Sequence, residues 1–257
     1  MRIAIFGDLH GSWINFRDEI LRLDHDAPLD LVLQVGDAQP LGDAEDLAFM
    51  PVPEQHRHLG SYAQVQEPWP IPTLFIGGNH EPWNRLAVLP DGGFLQPNLE
   101  YLGRAGQKSF GSLSVAGLSG VFSPRAFDRP RQRWPFLPEQ ARDASYYRRE
   151  DLAKLARLPR PDILLLHEWP TQLEAARQPE WPRHGSKVGI EPLGALVTTL
   201  RPAFVFCGHM HCAAQVRVGA TEILALDNFS ERPAQAVAIL EGEPGKLQLS
   251  SASGKQN

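Results

Sequence analysis

The sequence predicts an α/β fold in which polar residues with metal-binding chemistry follow the ends of buried strands. Short apolar runs alternate with segments that have the apolar period of helices, which is the order expected of parallel βαβ units. Several of these runs end at a glycine followed by Asp, Asn or His. Parallel strands end at one edge of a sheet, and α/β proteins keep their chemistry there. Later alternating segments predict antiparallel strands in a second sheet.

The first predicted strand covers residues 3–6 and ends in a loop that contains Asp8 and His10. Side chains at i and i+2 of an extended backbone point the same way, so these two can converge on one point. A carboxylate beside an imidazole is a natural half-site for a divalent cation. Ser12 is a candidate N-cap for a helix to about residue 23, whose apolar face consists of Trp13, Phe16, Ile20 and Leu23.

The second predicted strand, residues 29–35, ends in Gly36 and Asp37, and its spacing from the first strand suits a βαβ unit. Asp37 could equally cap a turn, and it is the other strand-end residues that favour a metal ligand. Residues 41–72 are polar, proline-rich and weakly periodic, which predicts loop and short helix over the site rather than core. We interpret His56 and His58 as surface histidines, because no glycine-terminated strand precedes them. Trp69 lies in the same predicted loop.

The third predicted strand, residues 73–76, leads into Gly77-Gly78-Asn79-His80-Glu81. Such a triplet of Asn, His and Glu is often an ordinary polar turn, but here it follows a buried strand. Residues 90–106 are rich in Gly, Pro and Asn. Residues 110–120 predict one or two antiparallel strands, at which the second sheet is expected to begin.

Two further strands end in histidines. Residues 163–166 precede His167, which taken alone could be a structural core histidine. A helix over residues 191–200 leads to a strand over 203–207, followed by His209 and His211. Their spacing directly after a buried strand is a strong metal-binding signal. Four more segments predict short antiparallel strands that complete the second sheet: residues 214–218, 222–226, 236–240 and 246–249.

A basic, aromatic stretch covers residues 123–149, which contain seven arginines and three acidic residues. Interleaved aromatic residues are typical of surfaces that contact a nucleic acid backbone and stack on its bases. Composition alone favours equally a solvated loop whose aromatics pack beneath it. Helix is expected to resume near residue 145 and to run to about residue 158.

Composition limits the class of protein. The net charge of -5 and the isoelectric point near 6.0 argue against a chain whose whole surface binds nucleic acid. No leader and no apolar run approaching about 18 residues is found, so we expect a cytoplasmic protein with no membrane partner. Cys207 and Cys212 are too few for a disulfide framework and are expected to be reduced. We predict one domain over residues 1–249 and a flexible tail over 250–257.

The ordered strand ends, Asp-x-His, Gly-Asp, Gly-Asn-His-Glu, His and Gly-His-x-His, resemble the calcineurin-like metallophosphoesterase superfamily from Gly7 to His211. The resemblance implies a four-layer αββα sandwich, in which two mixed β-sheets are flanked by helices. It also implies two divalent metal ions that share Asp37. One ion would be held by Asp8, His10, Asp37 and His211, and the other by Asp37, Asn79, His167 and His209.

The same resemblance implies the chemistry. The superfamily cleaves phosphate esters with a metal-bound hydroxide, and two cations lower the pKa of a shared water towards neutrality. His80 would donate a proton to the leaving oxygen, and Glu81 would orient His80 by a hydrogen bond. We expect a dinuclear phosphodiesterase with manganese as the first choice of metal and iron, zinc or magnesium as alternatives. The oligomeric state is left open.

A narrower likeness is to the RNA lariat debranching enzymes, which hydrolyse the 2'-5' phosphodiester of a branch point. It rests on residues 36–39, 46–53, 77–81, 97–103, 117–120 and 167–170, several of which lie in loops that metal binding does not require. It places the basic stretch where those enzymes carry the loop that recognises branched RNA. We therefore predict a nucleic acid or nucleotide phosphodiester as substrate, contacted by Asn84, Arg125, Arg129, Tyr146 and Arg148.

Two departures from these enzymes bear on metal and substrate. They usually have Cys where this chain has Asp8, and they carry a C-terminal extension that is missing here. An oxygen ligand in place of sulfur favours manganese or magnesium and a two-metal site. A phosphomonoesterase or nucleotide hydrolase of the same superfamily is the alternative enzyme. A non-catalytic scaffold is the alternative from another class, and its hallmark, degenerate ligand positions, is not found.

Overall fold

The computed structural model describes residues 1–65, 68–176 and 188–250, and two mixed β-sheets form its centre. The strands of the first sheet are β1 Arg2–Phe6, β2 Leu31–Gln34, β3 Thr73–Phe75, β4 Gly93–Gln96, β5 Leu99–Tyr101, β12 Val237–Glu241 and β13 Gln248–Ser250. Those of the second are β6 Ala105–Phe110, β7 Leu113–Leu118, β8 Ile163–Leu166, β9 Phe204–Cys207, β10 Ala214–Val218 and β11 Thr221–Ala225.

Helices flank the sheets, with short 3-10 turns in the connections. The α-helices are α1 Trp13–Asp26, α2 Ala44–Ala48, α3 Trp83–Leu86, α4 Ala141–Ser145, α5 Arg149–Ala156 and α6 Glu191–Leu200. The 3-10 turns are Glu54–His56, Tyr62–Gln64, Pro138–Gln140, Thr171–Ala176 and Pro233–Gln235. None of the helices in the described ranges combines the length and apolar character that crossing a membrane needs.

Alternation along the strands explains the layers. In β1, Ile3 and Ile5 point into an apolar layer between the sheets, whereas Ala4 and Phe6 face the layer under α1. A third apolar layer lies between the second sheet and α6. The α1 face predicted from the sequence is buried as expected. The predicted sandwich of two mixed sheets flanked by helices is confirmed.

The parallel strands place the candidate site. β1, β2 and β3 run parallel in the first sheet, and β7, β8 and β9 run parallel in the second. Backbone hydrogen bonds then link the loops beyond these strands. Within the first sheet His10 N donates to Asp37 O at 2.9 Å, and within the second Gly208 N donates to His167 O at 3.0 Å. Between the sheets, Gly120 N beyond β7 donates to Gly77 O beyond β3 at 2.7 Å. The strand-end loops of both sheets therefore meet at one edge of the molecule.

Several expectations about the strands were wrong. The last two strands do not complete the second sheet: β12 pairs antiparallel with β1, and β13 pairs with β12. They extend the first sheet beyond β1. The hairpin of β10 and β11 extends the second sheet beside β9. Two strands for which no prediction was made, β4 and β5, form in the run rich in glycine, proline and asparagine, where β5 pairs with β3 and β4 pairs with β5.

The long loop and the basic stretch also differ in detail. Trp69 was expected outside the core, but it is buried against Trp13 and Phe16 beneath α1. The helix expected from near residue 145 to about residue 158 is α5, which begins only at Arg149. The chain between it and α4, which ends at Ser145, is not helical. The interruption follows from Asp151, whose carboxylate accepts the Arg148 backbone N–H at 2.6 Å and begins a new helix there. Ser250 ends β13, and the rest of the predicted tail, 251–257, lies outside the described residues.

Candidate metal centre

Loops from both sheets bring the sequence-predicted ligands into contact at the shared edge. Three groups of donor atoms each lie within 4.8 Å of one another: Asp8, His10 and His211; Asp37, His167 and His209; and His10, Asp37 and His80. The first two groups contain the residues of the two sets that the resemblance implied, except that Asp37 is absent from the first group and Asn79, which is neither an acid nor a histidine, is absent from the second. Asn79 joins the second group through its side-chain oxygen.

The first group is built around Asp8, which is fully buried. The His209 backbone N–H donates to Asp8 Oδ2 at 2.9 Å and fixes that carboxylate. The His211 Nε2 atom lies 3.2 Å from the same oxygen. The Nε2 atoms of His10 and His211 face each other at 2.9 Å. Two imidazole nitrogens and a carboxylate thus converge on one point.

The second group is built around His167, another buried residue. Its Nε2 atom lies 3.3 Å from Asp37 Oδ1 and 3.2 Å from Asn79 Oδ1. Its Nδ1 atom lies 3.0 Å from the Val35 carbonyl oxygen, which orients the ring so that Nε2 faces the site. Burial lowers the pKa of His209 to about 3, so that imidazole is neutral, the form that binds metal.

Asp37 lies between the two groups. Its Oδ1 atom faces His167, and its Oδ2 atom is 4.0 Å from His10 Nε2. A carboxylate has two oxygens and can therefore serve two cations, whereas an imidazole presents one nitrogen to a site. Its backbone has a positive φ of 54°, a conformation that costs energy in a non-glycine residue and is characteristic of functional sites.

The donor set fits a pair of divalent cations. It consists of carboxylate oxygens, imidazole nitrogens and one amide oxygen, which suits manganese, iron, zinc or magnesium. The facing nitrogens of His10 and His211 are close enough to bind one shared cation. Neither Cys207 nor Cys212 belongs to these groups, so the candidate ligands among the described residues include no thiolate. The residues that would hold the ions are those that the resemblance implied.

Glycines next to the ligands are required by close contacts. A Cβ atom added at Gly208 would clash with Asp8 Oδ1, and one added at Gly78 would clash with Asp37 Oδ1. A side chain at either position would therefore push a ligand carboxylate out of place. The Gly-His and Gly-Asn pairs of the sequence are thus explained by packing against the opposing ligand loop.

We expect Gly208→Ala to lower metal affinity by about 10- to 100-fold, the usual effect of disturbing a group that orients a ligand. Isothermal titration of the metal-free protein with manganese measures this. Gly219→Ala is the control. That turn glycine has a φ of 62° and no neighbour within 4 Å of an added Cβ atom. Its replacement should cost about 1 kcal/mol of stability and leave metal affinity unchanged. Equal metal affinity in Gly208→Ala and the native chain would contradict the close-packing argument.

His80 adjoins the metal ligands. Its backbone N–H donates to Asp37 Oδ1 at 2.7 Å, and its ring packs edge-on against His10 with centroids 4.7 Å apart. Its Nδ1 atom lies 3.2 Å from Gln39 Nε2. Burial lowers the pKa of His80. Because Nδ1 is turned to Gln39, Nε2 is the ring nitrogen left for another partner.

Glu81 does not orient His80, contrary to the prediction. Its carboxylate accepts three backbone N–H groups instead, from Ala38 and Gln39 at 2.9 Å and from Gly78 at 3.0 Å. Burial, with Asp37 nearby, raises the pKa of Glu81 to about 7, although these hydrogen bonds oppose the shift. Glu81 joins the loop of Asp37 to the loop of Asn79. The side chain within hydrogen-bond distance of His80 Nδ1 is that of Gln39.

A cavity of about 960 Å³ opens over the ligands. Tyr146, from the predicted substrate set, lines it, together with Arg142, whose Nε donates to the Tyr146 hydroxyl at 3.0 Å. The exposed histidines His56 and His58 also lie on its wall. Sequence reasoning did not select the remaining polar wall residues, among them Glu168, Asn228, Ser230 and Glu231. Glu168 lies in the run 167–170 that resembles the debranching enzymes but was given no role, and no motif distinguishes the other three.

The other predicted substrate residues lie elsewhere. Arg148 is 1% exposed and pairs with Asp143 Oδ2 at 2.6 Å, so it is a structural residue. The Asn84 Nδ2 atom donates to Asp46 Oδ1 at 2.7 Å. Arg125 and Arg129 are exposed but do not line the cavity. Burial thus keeps Arg148 out of the cavity, and a hydrogen bond holds Asn84 against Asp46. Arg125 and Arg129 lie outside the cavity wall.

In the basic stretch several aromatic side chains pack beneath an exposed surface, as the second interpretation of it proposed. Phe127, Phe136 and Tyr147 are buried, and Arg131 and Arg149 pair with Asp151 and Asp128. The residues of this stretch that line the cavity are Arg142 and Ser145 of α4 and Tyr146 beyond it. Any contact of this stretch with a ligand in the cavity is therefore expected at these three residues.

Comparisons with known proteins agree with the site. The calcineurin-like phosphoesterase family matches residues 1–213. A lariat debranching enzyme from Arabidopsis thaliana is 34% identical over 97% of this chain and 65% of its own length. The corresponding figures are 33%, 82% and 43% for the Drosophila melanogaster enzyme and 30%, 82% and 42% for the human one. The chain thus spans less than two thirds of these curated relatives.

A solved structure shares the fold. A crystal structure of a Thermus thermophilus protein superposes with a TM-score of 0.56 at 16% identity, covering 97% of this chain and 98% of its own. The family match covers the strand ends that carry the candidate metal ligands and His80. This chain belongs to the calcineurin-like phosphoesterase family.

Proposed function

We propose that this chain is a metal-dependent phosphodiesterase that hydrolyses a 2'-5' phosphodiester at a branch point of RNA. The observation that carries the phosphodiesterase is the pair of ligand groups joined through Asp37 under one cavity, with His80 beside them. The 2'-5' linkage is supported by the likeness to lariat debranching enzymes over 82% to 97% of the chain.

Bound cations, which we propose to be two manganese ions, would bind the phosphate oxygens and acidify a water molecule. Asp8, His10, Asp37 and His211 would hold one ion, and Asp37, Asn79, His167 and His209 the other. Asp8 supplies oxygen where the debranching enzymes usually have sulfur, which favours manganese over softer metals.

The protein itself positions the leaving group. His80 reaches the cavity with Nε2 available, because Gln39 contacts Nδ1. We assign His80 the transfer of a proton to the oxygen that leaves the phosphorus. Arg142, Ser145 and Tyr146 are on the wall of the same cavity and are the residues of the basic stretch placed to contact the nucleic acid strand.

The test is hydrolysis by the purified, manganese-loaded protein of a 2'-5' branched oligoribonucleotide, compared with linear RNA, linear DNA, bis-p-nitrophenyl phosphate and p-nitrophenyl phosphate. We expect cleavage of the branched linkage, with His80→Ala as the inactive control. Hydrolysis of the linear strands or of the generic diester alone would reject the branch-point substrate and retain the phosphodiesterase. Hydrolysis of the monoester alone would favour a phosphomonoesterase, and absence of turnover with each divalent metal tried would favour a scaffold.

A further inference from the structure

Asn228 lies on the wall of the metal-site cavity, on the loop that follows β11. It is 2% exposed, and its neighbours Ser230 and Glu231 line the same wall. The loop lies against the first metal-binding loop, since the Phe229 backbone N–H donates to Asp8 O at 2.8 Å. A polar side chain is thus buried beside the ligands without being one of them.

The orientation of the Asn228 amide follows from its contacts. Its Oδ1 atom accepts the Ser230 backbone N–H at 2.9 Å and the Ser230 hydroxyl at 2.7 Å. A backbone N–H can only donate, so the atom facing it must be the oxygen. The other atom is therefore the Nδ2 donor. Within residues 1–65, 68–176 and 188–250, no atom accepts a hydrogen bond from it.

The loop holds this amide in place. Asp227 is buried, accepts the Asn228 backbone N–H at 2.7 Å through Oδ1, and pairs with Arg232 at 3.2 Å through Oδ2. On the other side, Phe229 is buried against Phe6, with ring centroids 5.3 Å apart. Because both neighbours are anchored, the amide is fixed before any ligand arrives, which lowers the entropy that binding costs.

We propose that Asn228 is a substrate-binding residue whose Nδ2 donates a hydrogen bond to a phosphate oxygen of the ester in the cavity. The Nδ2 donor has no acceptor among the described residues, and a charged oxygen is the acceptor that strengthens such a bond most. The ligands on the same cavity wall indicate where a phosphate would lie. The proposal rests on the proposed function insofar as it takes a phosphate ester as the ligand.

Two substitutions separate this role from a structural one. Asn228→Asp keeps an oxygen for Ser230 but replaces the free donor with an anionic oxygen facing the phosphate. Asn228→Ala removes both. If Asn228 donates to the phosphate, kcat/KM should fall about 10-fold in Asn228→Ala and about 100-fold or more in Asn228→Asp. A role confined to holding Ser230 predicts the reverse order, because aspartate retains those two hydrogen bonds.

The measurement is kcat/KM for bis-p-nitrophenyl phosphate and for the branched oligonucleotide, with metal content and Tm measured for each variant. A native value for Asn228→Ala, or a loss in alanine with a native value in aspartate, overturns the proposal. A loss in kcat/KM that is proportional to the loss of bound metal also overturns the proposal. Turnover of the generic diester alone rejects the branch-point function but still tests Asn228. If no ester is hydrolysed, affinity of the manganese-loaded variants for inorganic phosphate replaces kcat/KM, and equal affinities overturn the proposal.

Discussion

His80→Ala is expected to lower turnover by about 10²- to 10⁴-fold while both metal ions stay bound, the range attributed to a general acid. The reason is that each ligand group is complete without His80. Asp8, His10 and His211 form the first group, and Asp37 with His167, His209 and Asn79 forms the second. Asp37→Ala, in contrast, removes the residue between the groups and is expected to lose metal and activity together.

Metal content by elemental analysis and kcat on the same samples distinguish these outcomes. His25→Ala is the matched control, because His25 is an exposed histidine on α1, with a side chain that is 90% exposed. It should retain native metal content and rate. If His80→Ala lost as much metal as Asp37→Ala, His80 would be a ligand of the group that contains His10 and Asp37, and another proton donor would be needed.

The location of the metal site could be predicted because it depends on local patterns. A buried strand followed by glycine and a ligand is visible in a short window, and parallel strands bring such windows to one edge. Asp37 was ambiguous alone and became a predicted ligand once the other strand ends were considered. Its position between the two groups agrees with that reasoning.

Other features depend on contacts between residues far apart in sequence. Arg148 and Tyr146 are neighbours in one basic stretch, yet one is buried against Asp143 and the other lines the cavity. Composition cannot distinguish them, because the burial of Arg148 depends on its contact with Asp143 of α4. Strand β12 is similar: its alternation predicts a strand, but only its pairing with β1 decides which sheet it joins.

Glu81→Ala is expected to destabilise the protein and weaken metal binding, because Glu81 links two ligand loops. The carboxylate is fully buried and accepts the N–H groups of Ala38, Gln39 and Gly78. Three buried donors would lose their acceptor, which costs about 1–3 kcal/mol for each unsatisfied group, although such losses do not add fully. We expect Tm to fall by about 5–10 °C. Asp37 and Asn79 lie next to these donors, so metal affinity should fall as well.

Glu81→Gln tests whether the carboxylate acts as this link or orients His80. Glutamine keeps one oxygen for Ala38 and Gly78 but places an amide donor against the Gln39 N–H, so Tm and metal affinity should fall by less than in Glu81→Ala. Thermal unfolding and manganese titration measure both, with the exposed Glu139→Ala as control. A residue that only oriented His80 would lose kcat at native Tm and native metal affinity. The three backbone contacts, and the absence of a Glu81–His80 hydrogen bond among the described residues, favour the other outcome. Tm and metal affinity should then fall in both variants, and by less in Glu81→Gln than in Glu81→Ala.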